Sequence, residues 1–219
     1  MANRPNSSEA QILEQYRVSF ENVENQPEIA TIMAEFGYDE TLIAEGKSLF
    51  TKTQEAYNNN KKEDDETSTA YSNFSKIREE LATIYMLHRK KGKVVFRKET
   101  TTLNNLGLKG SLPRVYVKWL ETVKKFYNVA LNDNGIKTKL ARLKITPEEL
   151  TATNLKIQEL ETARAEYLRE KGESQDATKR KDAAFIELDD WMSEFYAVAK
   201  IALEDNPQLL ESLGKFVRS

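Results

Sequence analysis

The sequence predicts an all-α protein, an elongated multi-helix bundle built from two tandem helical repeats. Glycine (8) and proline (5), the residues that interrupt helices, are scarce among the 219 residues, and Glu, Lys, Ala and Leu are common. Apolar residues recur at steps of three and four, which is the spacing of one helical face. The second half of the chain also repeats the apolar spacing of the first.

Capping residues predict the first helices. Ser8 and Gln11 have the spacing of a capping box, so the first helix is expected to begin near Ser8. Pro27 starts a second, short helix, which Gly37 ends. Asp39 is a natural N-cap for the third helix.

The third helix allows two readings. One heptad register continues from Leu42 to Lys91 and would suit one helix of about 50 residues, but residues 58–69 are wholly polar and offer no apolar face. The corresponding place in the second half, residues 170–174, contains a glycine. We therefore expect a helical hairpin at both places, with one continuous helix in each half as the alternative.

The two halves match at an offset of 107 residues, or 108 across part of the third helix. This predicts two duplicated halves, residues 1–110 and 111–219, that are related by a pseudo-two-fold axis and packed as one bundle. Capping in the second half is clearer, because Thr146, Pro147 and Glu149 combine a capping box with a proline at the first helical position. Matched positions include Leu13 and Leu120, Leu81 and Leu188, Lys93 and Lys200, and Gly107 and Gly214.

Charge is unevenly distributed, although the net charge is only −2. Residues 1–88 carry 8 basic and 16 acidic side chains, residues 89–144 carry 15 and 3, and residues 145–219 carry 10 and 16. We expect the acidic flanks to neutralise much of the basic middle within the molecule. A basic surface that recognises a polyanion is the alternative.

Several kinds of chemistry are disfavoured by the composition. There is no cysteine, which excludes disulfides, thiolate metal sites and a cysteine nucleophile. His88 is the only histidine and falls on an apolar face, so we expect it to be buried and hydrogen-bonded. No signal peptide or membrane-spanning run is visible, so a soluble, cytoplasmic protein is expected that is not an integral membrane protein.

Two acidic groups are candidates for a cation site or a catalytic site. Glu187, Asp190 and Glu194 share a helical face beside the apolar stripe that contains Trp191, and residues 63–66 form a second acidic run. Neither has the spacing of a known metal motif. Both are therefore expected to be solvated surface, with Trp191 and Trp119 as core anchors, and we predict no catalytic residue, no metal and no cofactor.

The most distinctive feature is the basic run at residues 88–98. Arg89, Lys93 and Arg97 recur at four-residue steps and Lys90 widens the row, so these four are the candidate anion-binding residues. A row of cations on one side of a helix could contact phosphates or anionic lipid.

The C-terminal segment contains the block Asp189-Asp190-Trp191-Met192 and the ending LEDNPQLLESLG, residues 203–214. In these two stretches the chain resembles a family of uncharacterised bacterial all-helical proteins. Residues 36–50 add a weaker similarity. The resemblance implies an all-helical fold but no activity.

These observations favour a non-enzymatic structural or protein-interaction module. Its partner would be another protein or a second copy of the chain. Polyanion binding (nucleic acid or anionic lipid) through the basic band 89–144 is the alternative, and nucleic acid is possible but not favoured.

Overall fold

The computed structural model describes residues 7–214, which form eight helices and no strand. The first four are α1 (Glu9–Asn25), α2 (Pro27–Glu35), α3 (Glu40–Val95) and α4 (Thr100–Asn105). The second four are α5 (Tyr116–Asn132), α6 (Asn134–Ala141), α7 (Pro147–Ala202) and α8 (Pro207–Ser212). The all-α prediction is therefore confirmed for the described residues.

The predicted caps are present. Ser8 and Gln11 form the capping box of α1, and Asp39 Oδ1 accepts hydrogen bonds from the amides of Thr41 and Leu42, both at 3.0 Å. Gly37, after α2, has a φ of 93°, a conformation that favours glycine. Local sequence thus sets where these helices begin and end.

The predicted hairpins in the third helix of each half are wrong. Both α3 and α7 are continuous helices of 56 residues. Between Gly46 and Gly92, α3 contains neither glycine nor proline. Polar side chains also join the helices where apolar ones are missing: Asn60 Nδ2 donates to Thr178 Oγ1 at 3.1 Å. Interhelical hydrogen bonds therefore accompany a polar stretch that the sequence alone suggested was a turn.

The chain forms two compact units that do not coincide with the predicted halves 1–110 and 111–219. Unit 1 comprises Met1–Asp64 with Gly172–Ser219, and unit 2 comprises Asp65–Lys171. Each unit thus combines the beginning of one half with the end of the other, and α3 and α7 each contribute a segment to both units.

In unit 1, the segments of α3 and α7 run antiparallel, since Thr53 bonds to the carbonyl of Ala184 and Asn60 bonds to Thr178. Helices α1, α2 and α8 complete a core whose largest members are aromatic and aliphatic. The core includes Phe20, Ile29, Met33, Phe185, Leu188, Met192, Phe195 and Leu213.

In unit 2, the segments of α3 and α7 are also antiparallel, because Phe74 stacks on Tyr167 and Glu80 pairs with Lys156. Helices α4, α5 and α6 pack against them. The core includes Leu81, Tyr85, Phe96, Leu106, Val123, Phe126, Tyr127, Leu140, Leu150 and Leu160.

The helix boundaries recur at one spacing. Helices of 17, 9, 56 and 6 residues are followed by helices of 17, 8, 56 and 6 residues. Their first residues lie 107 positions apart: Glu9 and Tyr116, Pro27 and Asn134, Glu40 and Pro147, and Thr100 and Pro207.

Candidate interaction face

The basic run 88–98 lies at the C-terminal end of α3 in unit 2, and Arg89 is not on its exposed side. Arg89 is only 8% exposed. Its Nη1 donates to the carbonyl of Gly107 and its Nη2 to that of Gly110, both at 2.8 Å. The expectation that Arg89 binds an external anion is therefore corrected: its guanidinium holds the segment that follows α4, because the planar fork satisfies two backbone carbonyls at once.

The other three candidate cations are exposed. Lys90, Lys93 and Arg97 share the outward side of α3, and of the turn after it, with apolar residues at the intervening helical steps. Met86 is 62% exposed and Val94 57%. We call this surface the α3 outer face: Met86, Leu87, Lys90, Lys93, Val94 and Arg97.

The cations of the α3 outer face have no ion pair within residues 7–214. Other lysines of unit 2 are paired: Lys124 with Glu161 at 2.5 Å, and Lys139 with Glu99 at 2.7 Å. These pairs are partly exposed and contribute little stability, but they neutralise charge locally. Of these two pairs, only Lys124–Glu161 joins the basic middle to an acidic flank, since Glu99 itself lies within residues 89–144.

The two units carry opposite net charge. Unit 2 contains 21 Lys and Arg against 13 Asp and Glu, a net of +8. Unit 1 contains 12 against 22, a net of −10. Unit 2, taken by itself, is thus the part of the chain suited to an acidic partner.

His88 is buried beneath the basic run, as the sequence predicted. Its Nδ1 lies 2.9 Å from the hydroxyl of Tyr127, and its Nε2 lies 4.0 Å from a carboxylate oxygen of Glu149. Burial lowers the pKa of His88, an effect that Glu149 partly opposes. Burial also raises the pKa of the Tyr127 phenol. The neutral form of the imidazole is therefore favoured, and it is hydrogen-bonded to a phenol in the core. This arrangement is typical of a histidine with a structural role.

The acidic group on α7 is also largely solvated, as predicted. Glu187, Asp190 and Glu194 are exposed, and Glu187 pairs with Lys52 at 2.6 Å. Neighbouring Asp189 accepts a hydrogen bond from the hydroxyl of Tyr16 at 3.0 Å. Within the described residues, these carboxylates do not come close enough together to hold a common metal ion.

Sequence reasoning missed a groove in unit 2. It has a volume of about 900 Å³ and lies between the antiparallel segments of α3 and α7. Residues more than 75 positions apart form its two sides, so no local pattern could indicate it. Its lining includes Glu66, Ala70, Ile77, Leu155, Ala163 and Glu170.

Comparison with known proteins gives no relative: no family model, no curated protein and no solved structure matches this chain. Within residues 7–214, none of the helices has the length and apolar character needed to cross a bilayer. The site must therefore be interpreted from its own geometry.

Proposed function

We propose that the chain is a non-enzymatic helical interaction module and that it binds a protein partner through the α3 outer face. The observation that carries this proposal is the combination, on one helical side, of exposed apolar side chains with exposed cations that have no ion pair in the described residues. Apolar residues at helical spacing would supply buried area, and the cations would select for acidic charge.

The partner's surface would be acidic and partly apolar. Met86, Leu87 and Val94 are each more than half exposed, which is more apolar surface than a purely phosphate-binding edge requires. Lys90, Lys93 and Arg97 would border that apolar contact. A helix with a matching acidic and apolar face has the required chemistry.

Polyanion binding is the second candidate, and it rests on the three exposed cations together with the +8 charge of unit 2. It differs from the first in its dependence on salt. Affinity for duplex DNA would fall with a logarithmic slope of roughly −0.9 per phosphate neutralised. Binding to a mixed apolar and acidic protein surface would depend less on salt.

A photo-crosslinking amino acid at position 94 tests the first candidate. It should give one defined cross-linked protein, and the product should disappear in a variant with Lys90, Lys93 and Arg97 changed to glutamine. The same cross-linker at Asn128, an exposed position on α5, is the control. Equal labelling from both positions would contradict the proposal.

Nucleic acid and vesicles containing phosphatidylserine test the second candidate. Tight, salt-sensitive binding to either, lost in the triple glutamine variant, would favour the polyanion function over the protein-interaction function. Because Arg89 is left unchanged, loss of binding would not reflect loss of its structural hydrogen bonds.

We further propose that the two halves arose by duplication and are related by a pseudo-two-fold axis. The common spacing of the helix starts supports this proposal. A second support is that the matched glycines Gly107 and Gly214 each accept a side-chain hydrogen bond at their carbonyl. The carbonyl of Gly107 accepts from Arg89 at 2.8 Å, and that of Gly214 accepts from Gln15 at 3.1 Å. Different side chains would thus stabilise the same turn, which fits low sequence identity between the halves.

We also propose that the chain is bacterial and that it resides in the cytoplasm. The proposal of a bacterial origin rests only on the resemblance that the sequence of residues 189–192 and 203–214 suggests. The lack of cysteine fits a reducing compartment such as the cytoplasm.

A further inference from the structure

The groove of unit 2 has an acidic rim in an otherwise basic unit. Four glutamates line it, and no lysine or arginine does. Its floor contains aliphatic side chains from both long helices. The acidic residues that line it are Glu66, Glu159, Glu166 and Glu170.

Glu170 is the member that requires an explanation. Although ionisable, it is only 8% exposed. Its Oε1 contacts Nη2 of Arg169, but its Oε2 is buried and has no hydrogen-bond partner within the described residues. A carboxylate oxygen that is removed from water without a partner is costly. Arg169 contacts only the other oxygen, so a second cationic partner at Oε2 would stabilise Glu170.

The position of Glu66 indicates where that partner would lie. One carboxylate oxygen of Glu66 lies within 4.8 Å of one of Glu170. Two ionised carboxylates cannot donate hydrogen bonds to each other. Calcium binds oxygen ligands at about 2.3–2.6 Å, so a single ion between two oxygens spans about this separation.

We propose that Glu66 and Glu170 bind a hard divalent cation of the Ca²⁺ type at one end of the groove. Both ligands are carboxylates, and the groove lining contains no imidazole or thiolate, which fits a hard oxygen-seeking ion. The groove would admit the water molecules that complete the coordination. Glu166, which shares Arg169 with Glu170, would add negative charge nearby. This would be a metal site where the sequence predicts none.

The pairing explains why sequence reasoning did not identify the site. The acidic run at residues 63–66 predicts solvated surface, because it lacks the spacing and the turn glycine of a calcium loop. The ligands instead come from two helices, and Glu66 and Glu170 are 104 positions apart. Only the antiparallel register of α3 and α7 in unit 2 brings them together.

The test is titration of the metal-free protein with CaCl₂, followed by calorimetry and by thermal unfolding. With two protein carboxylates the dissociation constant should lie at about 10⁻⁴–10⁻³ M. The unfolding temperature should rise by a few degrees at saturating Ca²⁺ and return on chelation, because a ligand that binds only the native state stabilises it.

Three variants make the result specific. Glu66→Gln and Glu170→Gln should each weaken Ca²⁺ binding about tenfold or more, because each removes one of two charged ligands. Glu121→Gln, on exposed α5, removes the same charge outside the groove and should bind Ca²⁺ as the wild type does. If Glu170→Gln does not fold, Glu66→Gln still decides, since Glu66 is exposed.

Two outcomes would overturn the proposal. The first is absence of saturable binding up to several millimolar Ca²⁺ or Mn²⁺. The second is binding that all three variants reduce equally, which would indicate general attraction to surface carboxylates. Mn²⁺ offers an independent readout, because its paramagnetism should broaden the backbone NMR signals of Ala70 and its neighbours in the wild type and in Glu121→Gln, but not in Glu66→Gln or Glu170→Gln.

Discussion

The indole ring of Trp191 lies directly against the backbone of Gly46. A β-carbon at position 46 would be 2.5 Å from Cζ2 and 2.7 Å from Cζ3 of that ring, closer than real contacts allow. Gly46 lies within α3, where glycine is otherwise unfavourable. The glycine is therefore needed to let α3 and α7 approach each other in unit 1.

Gly46→Ala should destabilise the protein by about 1–3 kcal/mol, the usual range for forcing extra volume into a packed site. The clash must outweigh the gain of up to about 1 kcal/mol that alanine normally brings to a helix interior. Urea unfolding of the wild type and of Gly46→Ala measures the difference in their free energies of unfolding. Gly172→Ala is the matched control, since a β-carbon there meets nothing within 4 Å, and it should leave stability unchanged or raise it.

Trp191→Ala should lower the free energy of unfolding by about 3–5 kcal/mol. The ring contacts Phe20, Tyr38 and Phe195 at centroid distances of 5.4, 5.7 and 5.5 Å, as well as Gly46. Because the side chain is half-buried, the lower end of the range is expected. A cost below about 1 kcal/mol, measured by urea unfolding, would show that these aromatic contacts do not anchor unit 1.

Arg89 and Lys90 are neighbours with different roles, and the same substitution separates them. Arg89→Gln should cost about 2–4 kcal/mol, because two charge-assisted hydrogen bonds to Gly107 and Gly110 are lost at a buried place. Lys90→Gln should change stability by less than about 0.5 kcal/mol, because the side chain is exposed. If urea unfolding shows that both variants lose the same free energy of unfolding, the assignment of Arg89 to the core is contradicted.

His88 should make the stability of the protein depend on pH. Burial lowers the pKa of His88 below its ordinary value of 6.5, so the unfolded chain binds a proton at a pH where the folded chain does not. The stabilising effect is present above pH 6.5 and is lost as the pH falls through the folded-state pKa. The free energy of unfolding should therefore decrease between pH 7 and pH 5, and His88→Gln should remove much of that decrease. A wild-type profile that is flat over this interval would be the contrary result.

The sequence predicted the features that depend on local chemistry, and it missed those that depend on register between distant segments. Ser8 and Asp39 act as predicted caps because a cap involves residues two or three positions away. The buried place of His88 followed from helical periodicity. The Gly46–Trp191 contact and the Glu66–Glu170 pair join elements that are more than 100 positions apart. Arg89 bonds to Gly107 and Gly110, 18 and 21 positions away, which a pattern within one helix cannot indicate. The predicted hairpins were wrong because a polar stretch was equated with a loop, although polar side chains can bond across a helix pair.

The continuity of α3 through residues 58–69 leads to a prediction about proteolysis. Lys61 and Lys62 lie in the middle of this helix, whereas Lys109 lies in the segment between α4 and α5, where no regular structure forms and the side chain is exposed. Trypsin binds extended backbone, and a helix must unfold locally before it is cleaved, so accessible irregular segments are cut first.

Limited digestion under native conditions should therefore cut after Lys109 before Lys61 or Lys62, giving two large fragments that mass spectrometry identifies. Inserting Gly-Gly between Lys61 and Lys62 should create a new early cut there, which serves as the positive control. Early cleavage at Lys61 or Lys62 in the unmodified chain would instead favour the hairpin over the continuous helix.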